Sequence, residues 1–340
     1  MSPILKYIFK RLLLLVLVVV IVVTITFVLS HIIPGDPARL YAGPHARFEQ
    51  IEKARIELGL DKPLWEQYRL YWLNLLSGDL GMSIHTRRPV TYDLLDYFPA
   101  TVELTTVSMT ITVFVGVLLG VVSALHKDKA PDHASRLFAL TGVAMPVFWL
   151  GILSQLVIGY MLGLLPISGR VDPMIELIYP TPNITGLVLV DSLITGNIPT
   201  FLSALSHIML PALTLSFATL AIVSRMMRAL MLDVLDKDYI RTARSLGLPD
   251  GLVVYKYALR NALIPVVTVI GLSFGYSLGG AFLVEVVFDW PGLGRYTTDS
   301  IVTLDYPAIL GVVILTSMVY VLVNLAVDIL YAFLNPRIRY

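Results

Sequence analysis

Six long apolar runs restrict the folds that are open to this chain of 340 residues. Each holds about 20 residues or more, the length that an α-helix needs to cross a hydrocarbon core of roughly 30 Å. Hydrophobic residues form 56% of the chain and charged residues 14%, and a soluble domain could not bury that much apolar surface. The sequence therefore predicts an all-α integral membrane protein with six transmembrane helices, at 12–33, 101–125, 137–164, 201–223, 263–287 and 309–334.

Three regions follow from the positions of these runs. Residues 1–33 form an N-terminal tail and a first span, which we expect to be a retained anchor because no small-residue cleavage pattern follows it. Residues 34–99 are polar and carry Tyr68, Tyr71 and Trp72 at helical spacing, so they predict a small helical segment outside the membrane. Residues 100–340 form a five-helix core that includes a loop at 226–262.

The distribution of Lys and Arg predicts the orientation in the membrane. Basic residues concentrate at the N-terminus, in the turn after the second run, in the segment after the fourth run and at the C-terminus, whereas the shorter loops on the other side are mainly acidic. Because short cytoplasmic segments are enriched in Lys and Arg, both termini and the loop 226–262 are predicted to be cytoplasmic. The net charge of +1 gives no indication of a nucleic-acid partner.

The polar segment 238–265 begins with the pattern of a short helix whose start and end are both marked by local residues. Asp238 stands where an N-cap is expected, and Gly247 followed by Pro249 predicts the C-terminal end. Ile240, Ala243 and Leu246 are predicted to share one side, with Arg241 and Arg244 more exposed. The pattern leaves two interpretations open: a rigid helix that docks onto a soluble partner, or an interfacial helix that lies among lipid headgroups.

The sequence supplies no positive case for an enzyme. No lysine is followed by Ser or Thr, so the chain lacks the Walker A pattern that cradles ATP phosphates. Its histidines are scattered without the spacing of a zinc site, and the chain contains no cysteine. We therefore expect no catalytic residue, no metal and no cofactor in this chain.

Two features of the spans suit either packing or movement. Met145 and Pro146 interrupt the third run, where a proline bends a helix and can serve as a gating hinge. Gly271, Gly275 and Gly279 recur at four-residue spacing in the fifth run. Such a stripe is typical of close helix packing, but it could also face a translocation pathway.

The segment Arg241-Thr242-Ala243-Arg244-Ser245-Leu246-Gly247-Leu248 resembles the coupling-loop motif of ABC importer permeases, in the form used by the dipeptide/oligopeptide branch. Positions 241 and 242 hold Arg and Thr where the general motif has Glu and Ala. Further resemblance covers nearly the whole chain, in Pro34-Gly35-Asp36-Pro37, 58–63, 77–81, 260–265, Phe288-Asp289-Trp290-Pro291-Gly292-Leu293-Gly294-Arg295 and 335–339.

This resemblance implies a type I importer permease fold in a prokaryotic plasma membrane, with a second homologous permease, two P-loop ATPase subunits that bind ATP-Mg, and an extracytoplasmic substrate-binding protein as partners. It also implies that the residues that couple to the ATPase are Asp238, Tyr239, Arg241, Thr242, Ala243, Arg244, Leu246 and Gly247. Peptide is the expected cargo, with oligosaccharides or a nickel chelate as alternatives. An ATP-independent channel or carrier is the rival function, and it would require charged residues deep in several spans and internal repeats.

Overall fold

The structure is a computed structural model that describes residues 3–32, 37–43, 46–57 and 59–334. The predicted end of the first span at 33 and the motif residues 34–36, 58 and 335–339 lie outside these ranges. The helices are α1 (Pro3–Ile32), α2 (Pro37–Ala42), α3 (Phe48–Glu57), α4 (Leu64–Leu76), α5 (Val90–Leu125), α6 (Ala130–Ala144), α7 (Val147–Ser154), α8 (Pro173–Ile178), α9 (Val188–Ile194), α10 (Ile198–Leu235), α11 (Asp238–Ser245), α12 (Asp250–Leu252), α13 (Leu259–Gly280), α14 (Phe282–Val287), α15 (Leu293–Val302) and α16 (Tyr306–Leu334). Two π-helical segments, Gln155–Met161 and Val253–Ala258, extend α7 and join α12 to α13.

The all-α class is confirmed, and within the described residues five helices are long and apolar enough to cross a membrane. They comprise α1, α5, α10, the continuous helix from Asp250 to Gly279, and α16. The predicted third span at 137–164 is different, because the chain breaks into α6 and α7 with a bend of 108°. Counted as one broken span, this pair gives the predicted six.

The break in the third span lies at Met145 and Pro146. Met145 and Pro146 both adopt extended backbone angles at the junction between α6 and α7. Proline removes a backbone donor and restricts the residue before it, so the helix ends there. Pro211 lies inside α10 and Pro265 inside α13, and both helices continue through them. A proline alone therefore does not end a helix in this fold.

The α5–α10 pair forms the centre of the bundle. Small residues on α5 allow the two backbones to approach closely: a Cβ at Gly116 would press against Val223, and one at Gly120 would overlap Met227. α6 also packs on α10, where Gly142 lies against Ala221. Short side chains thus line the most extensive helix contact. This is expected in a membrane, because lipid is as apolar as the side chains and helices associate through close packing.

The N-terminal helix and the outer segment pack on the flank of this centre. Tyr68 of α4 places its hydroxyl 2.7 Å from Thr24 Oγ1, and its ring contacts Phe27 edge to face. Arg11 of α1 pairs with Asp328 of α16, with Nη1 3.0 Å from Oδ2. The aromatic side of α4 therefore anchors the outer segment to the first span, and Asp328 serves helix packing.

Candidate functional site

The helix α11 has a defined start and a defined stop. Lys237 occupies the extended N-cap position and Asp238 is the first helical residue, so the predicted N-cap is displaced by one residue. At the other end Gly247 adopts φ 75°, and its N–H donates to the Arg244 carbonyl at 2.9 Å. Leu248 N–H donates to the Ala243 carbonyl at 3.3 Å, which completes a Schellman motif. The predicted stop at Gly247 is confirmed.

One side of α11 is fixed to the rest of the chain. Ile240 is fully buried and Ala243 is 8% exposed, and both belong to an apolar core with Met231 of α10 and Val253 of the π-helical segment. The Tyr239 hydroxyl also accepts a hydrogen bond from the side-chain amide of Asn261. This side therefore holds α11 against the ends of α10 and α13.

The opposite side of α11 is exposed and contains both charge and one large apolar group. Asp238 and Arg241 are 98% and 70% exposed as side chains, while Leu246 is 76% exposed. The predicted grouping of Leu246 with Ile240 and Ala243 is wrong, because the last helical turn leaves Leu246 pointing away from the core. We call the outward set the coupling surface, after the role predicted from the sequence; it consists of Asp238, Tyr239, Arg241, Thr242, Arg244, Leu246 and Gly247. Tyr239 lies at its edge, since it is 44% exposed while its hydroxyl reaches Asn261.

Ala243 does not belong to the coupling surface. The sequence-based prediction included it among the residues that contact the ATPase, but its methyl group faces the apolar core of this chain. A small residue is needed there because α11 lies directly on the π-helical segment Val253–Ala258, and a larger side chain would force the two apart. Its contribution to the site is to position α11.

A buried ion pair connects α6 to α10 close to this end of the bundle. Arg228 Nε and Nη2 donate to the two carboxylate oxygens of Asp132 at 2.6 and 2.7 Å, and Asp132 is fully buried. Ser123 Oγ of α5 donates to the same carboxylate at 2.6 Å. Sequence reasoning missed this pair, since both residues lie in basic segments that appeared to matter only for orientation. The signal that could have revealed the pair was an aspartate at the start of a helix, with Lys127, Lys129 and Arg136 close to it in sequence.

A second buried carboxylate organises the end of the bundle opposite α11. Glu285 of α14 is fully buried and accepts hydrogen bonds from Thr101 Oγ1 at 2.7 Å and from Gly294 N–H. The indole N–H of Trp290 donates to the Ala100 carbonyl at 2.8 Å. The stretch 288–295, a loop that leads into the first turn of α15, is thus folded over Glu285 and held on α5. A Cβ at Gly292 or Gly294 would overlap the Glu285 carboxylate, so both glycines are required by packing.

An ion pair adds the loop that precedes α8 to this same region. Arg170 Nη2 donates to Glu103 Oε2 at 2.6 Å and to the Gly186 carbonyl at 2.7 Å. The Arg170 guanidinium carbon lies 5.8 Å from the centre of the Trp290 ring. These non-covalent contacts hold the loops at the end opposite α11 to α5 and to one another.

The residues predicted to line or gate a pathway occupy two different environments. Gly271 and Gly275 of α13 lie against α16, where added Cβ atoms would contact Val327 and Tyr320. Gly279 is exposed, and apart from its own helix no group in the described part of the chain lies within 4 Å of the position that its Cβ would take. Pro146 is also exposed, at the bend between α6 and α7. The first two glycines therefore serve packing, and Gly279 and Pro146 face the surroundings of the chain.

The fold and these features define an integral membrane subunit with a rigid, partly apolar helix presented at one end. A sequence model described as "Binding-protein-dependent transport system inner membrane component" matches residues 116–340, and a model of the N-terminal part of such membrane components matches residues 4–105. The chain belongs to this family and is an integral inner membrane permease subunit of an ABC transporter.

Similar proteins cover almost the whole chain. A probable D,D-dipeptide transport system permease protein of Escherichia coli (strain K12) is 49% identical over 92% of both chains. A dipeptide transport system permease protein of the same strain is 43% identical over 99% of both chains. A glutathione transport system permease protein of Escherichia coli O6:H1 is 42% identical over 99% of this chain and 100% of its own length.

Proposed function

We propose that this chain forms half of the translocation pathway of an ATP-driven, binding-protein-dependent importer of di- and oligopeptides. The observation that carries the proposal is the geometry of α11, which is fixed on one side and exposed on the other. A second homologous permease, two P-loop ATPase subunits and an extracytoplasmic binding protein complete the transporter. ATP-Mg is bound by the ATPase subunits, because this sequence has no Walker A lysine of its own.

The coupling surface suits a protein cleft better than a layer of headgroups. Leu246 supplies a large apolar side chain, and Arg241 lies within 3.6 Å of Asp238, which offsets part of its charge. Arg244 lies 3.7 Å from Asp250 in the same way. A headgroup-bound helix is expected to carry cations that are free to reach phosphates, whereas these two arginines each have a neighbouring carboxylate.

Movement of α11 has a route into the spans. The core that holds Ile240 and Ala243 includes Met227 and Met231 of α10 and Val266 of α13. Since close-packed side chains transmit displacement, closure of the ATPase pair would tilt α10 and α13 together. The Asp132–Arg228 pair then carries α6 with α10.

Two parts of the predicted pathway are proposed to act differently in this cycle. Met145 and Pro146 form the hinge between α6 and α7, since their extended backbone separates two helices at 108°. Gly279 leaves open space beside α13 and is proposed to face the pathway. Gly271 and Gly275 hold α13 on α16 and are proposed to keep the pathway wall rigid.

The orientation proposed places both termini and α11 in the cytoplasm. The positive-inside pattern supports it, and the cargo proposal draws on three similar proteins named for D,D-dipeptide, dipeptide and glutathione transport. Glutathione is itself a peptide, so these names agree on the chemical class.

The proposal is tested by replacing Leu246 with Asp in the full transporter reconstituted in liposomes. We expect stimulated ATP hydrolysis and peptide uptake to fall together, because a carboxylate cannot enter an apolar cleft without a desolvation cost. The matched control is Leu76→Asp, since Leu76 of α4 is 77% exposed and lies far along the chain from α11. Unchanged uptake in Leu246→Asp would remove α11 from coupling.

A further inference from the structure

A cavity of about 420 Å³ lies between α6 and α10 and is not used by the proposed transport function. Three arginines line it, Arg136 from α6 and Arg225 and Arg228 from α10. Its floor is formed by Ser135 and Ser224, whose hydroxyl oxygens lie 3.4 Å apart and are buried. The cavity is therefore basic at its rim and has two serine hydroxyls at its base, one of which donates to the other.

The positive charge of this cavity is only partly neutralised. Arg228 is engaged in its two hydrogen bonds to Asp132. Arg136 lies 3.7 Å from the same carboxylate and 4.0 Å from Asp128, and it donates to His133 Nδ1 at 2.9 Å. Because a guanidinium has five N–H donors, Arg136 retains donors for a further anion.

Arg225 is the group best placed to accept a ligand. Its side chain is exposed at the rim, and it forms neither an ion pair nor a hydrogen bond with the residues that the structure describes. Two arginines on one concave surface, above two serine hydroxyls that share one hydrogen bond, are a donor set that suits phosphate oxygens.

The surroundings of the cavity indicate where that phosphate comes from. The outer side of α6 continues from the cavity as an exposed apolar stripe of Leu137, Leu140 and Val143, which are 66%, 69% and 51% exposed. A free inorganic anion or a peptide carboxylate would pair with the arginines but would not cover this apolar stripe. A phospholipid matches both parts, with its phosphate at the arginines and its acyl chains along α6.

The depth of the cavity agrees with a headgroup position. α10 has 38 residues and is about 57 Å long, so it extends well beyond a hydrocarbon core of about 30 Å. Arg225 lies about 15 Å from the α11 end of α10 by helical rise. This position places its charge near the membrane boundary on the side of α11, beside the basic turn that contains Lys127 and Lys129.

We propose that this cavity binds the phosphate of an anionic phospholipid from the leaflet on the α11 side, with Arg225 and Arg136 as its ligands. Bound there, the lipid would bridge α6 and α10 next to the Asp132–Arg228 pair. The site would make the relative position of the two helices sensitive to the lipid composition of the membrane.

The test counts lipids retained by the purified full transporter, using native mass spectrometry after incubation with phosphatidylglycerol or phosphatidylcholine of the same chains. We expect wild type to prefer phosphatidylglycerol and Arg225→Gln to lower that retention about fivefold, since one basic group near the surface contributes on that scale. Arg225→Lys is expected to keep most of the retention. The matched control is Arg260→Gln, an exposed arginine on the same side of the membrane that does not line the cavity.

Several results would overturn the proposal. Equal phosphatidylglycerol retention in Arg225→Gln and Arg260→Gln would exclude the site, and release of the lipid by millimolar inorganic phosphate would assign it to a free anion. A cross-link from Arg225→Cys to the second permease at high yield would show that a protein covers the cavity. If Arg225→Gln does not assemble, Arg136→Gln provides the same comparison. The lipid count needs neither nucleotide nor cargo, so it is independent of the proposed transport function.

Discussion

Arg228 donates two hydrogen bonds to Asp132, with Nε and Nη2 2.6 and 2.7 Å from the two carboxylate oxygens. The pair joins α6 to α10 and is completed by Ser123 from α5, so one carboxylate ties together three helices. A charge removed from water is stable only with such partners. The pair therefore fixes the geometry of the bundle next to the helix that is proposed to receive movement from the ATPase.

Breaking this pair is predicted to destabilise the protein strongly. Asp132→Ala leaves the Arg228 charge without its partner, and we expect a loss of about 3 kcal/mol in the free energy of unfolding. The measurement is unfolding in detergent, followed by circular dichroism. Arg241→Ala is the control, because its ion pair with Asp238 is exposed and contributes little. A similar small loss in both variants would show that the buried pair is not structural.

Substitutions at Gly247 are predicted to act through the backbone conformation of this residue and not through steric overlap. Its φ of 75° is strained for an L side chain, yet among the residues that the structure describes, its two chain neighbours aside, none lies within 4 Å of an added Cβ. Gly247→Ala should therefore cost about 1 kcal/mol of stability and lower the coupling of ATP hydrolysis to uptake, with Gly247→Val worse. Gly251→Ala is the matched control, since Gly251 has equally open space and a helical backbone. Equal effects at the two positions would contradict a role for the left-handed turn.

The stripe of glycines on α13 is predicted to divide into packing and pathway positions. Gly271→Leu should reduce the amount of folded protein, because its Cβ alone would overlap Val327. Gly279→Leu should leave the yield and the melting temperature unchanged but lower peptide uptake, because its side chain would fill open space beside the pathway. Uptake and thermal unfolding measured on both variants distinguish the two roles. Normal uptake by Gly279→Leu would remove this residue from the pathway.

The loop before α9 is predicted to depend on the ionised form of Asp191. Burial opposes ionisation, but hydrogen bonds from Thr185, Ile184 and Gly186 outweigh it and lower the pKa of the Asp191 carboxyl. A lowered folded-state pKa contributes stability that is complete above the ordinary pKa of an aspartate and is lost as pH falls through the folded-state value. Asp191→Asn should therefore melt at a lower temperature than wild type at neutral pH, and the difference should shrink in acid. A difference that is constant with pH would contradict this account.

The sequence was sufficient for the elements that depend on local pattern. The apolar runs predicted the helices of the spans, and Gly247 predicted where α11 ends, because both follow from rules that act over a few residues. The bend at Met145 and Pro146 was located, but its size was not, since 108° depends on what α7 packs against. The fifth span begins at Asp250 rather than 263 because the polar residues before Pro265 continue the same helix.

The residues missed were those whose partners are distant in sequence. Asp132 and Arg228 are separated by 96 positions, and Glu285 and Thr101 by 184. No periodicity connects such pairs, so no pattern in the sequence joins the two partners. Leu246 was misplaced for a different reason. Helical spacing put it beside Ala243, but the Schellman turn at Gly247 ends the regular helix before Leu246 can join that side.

The most direct test of the account is a cross-link from α11 to the ATPase. The chain has no cysteine, so single cysteines at Leu246 and at Ala243 can be compared in the assembled transporter. Leu246→Cys should cross-link to the P-loop subunit in high yield, and Ala243→Cys should not, because Leu246 is 76% exposed and Ala243 is 8% exposed. Cross-linking of Ala243→Cys in preference to Leu246→Cys, or labelling of Leu246→Cys by lipid probes alone, would contradict the proposal that α11 docks onto the ATPase through its outward side.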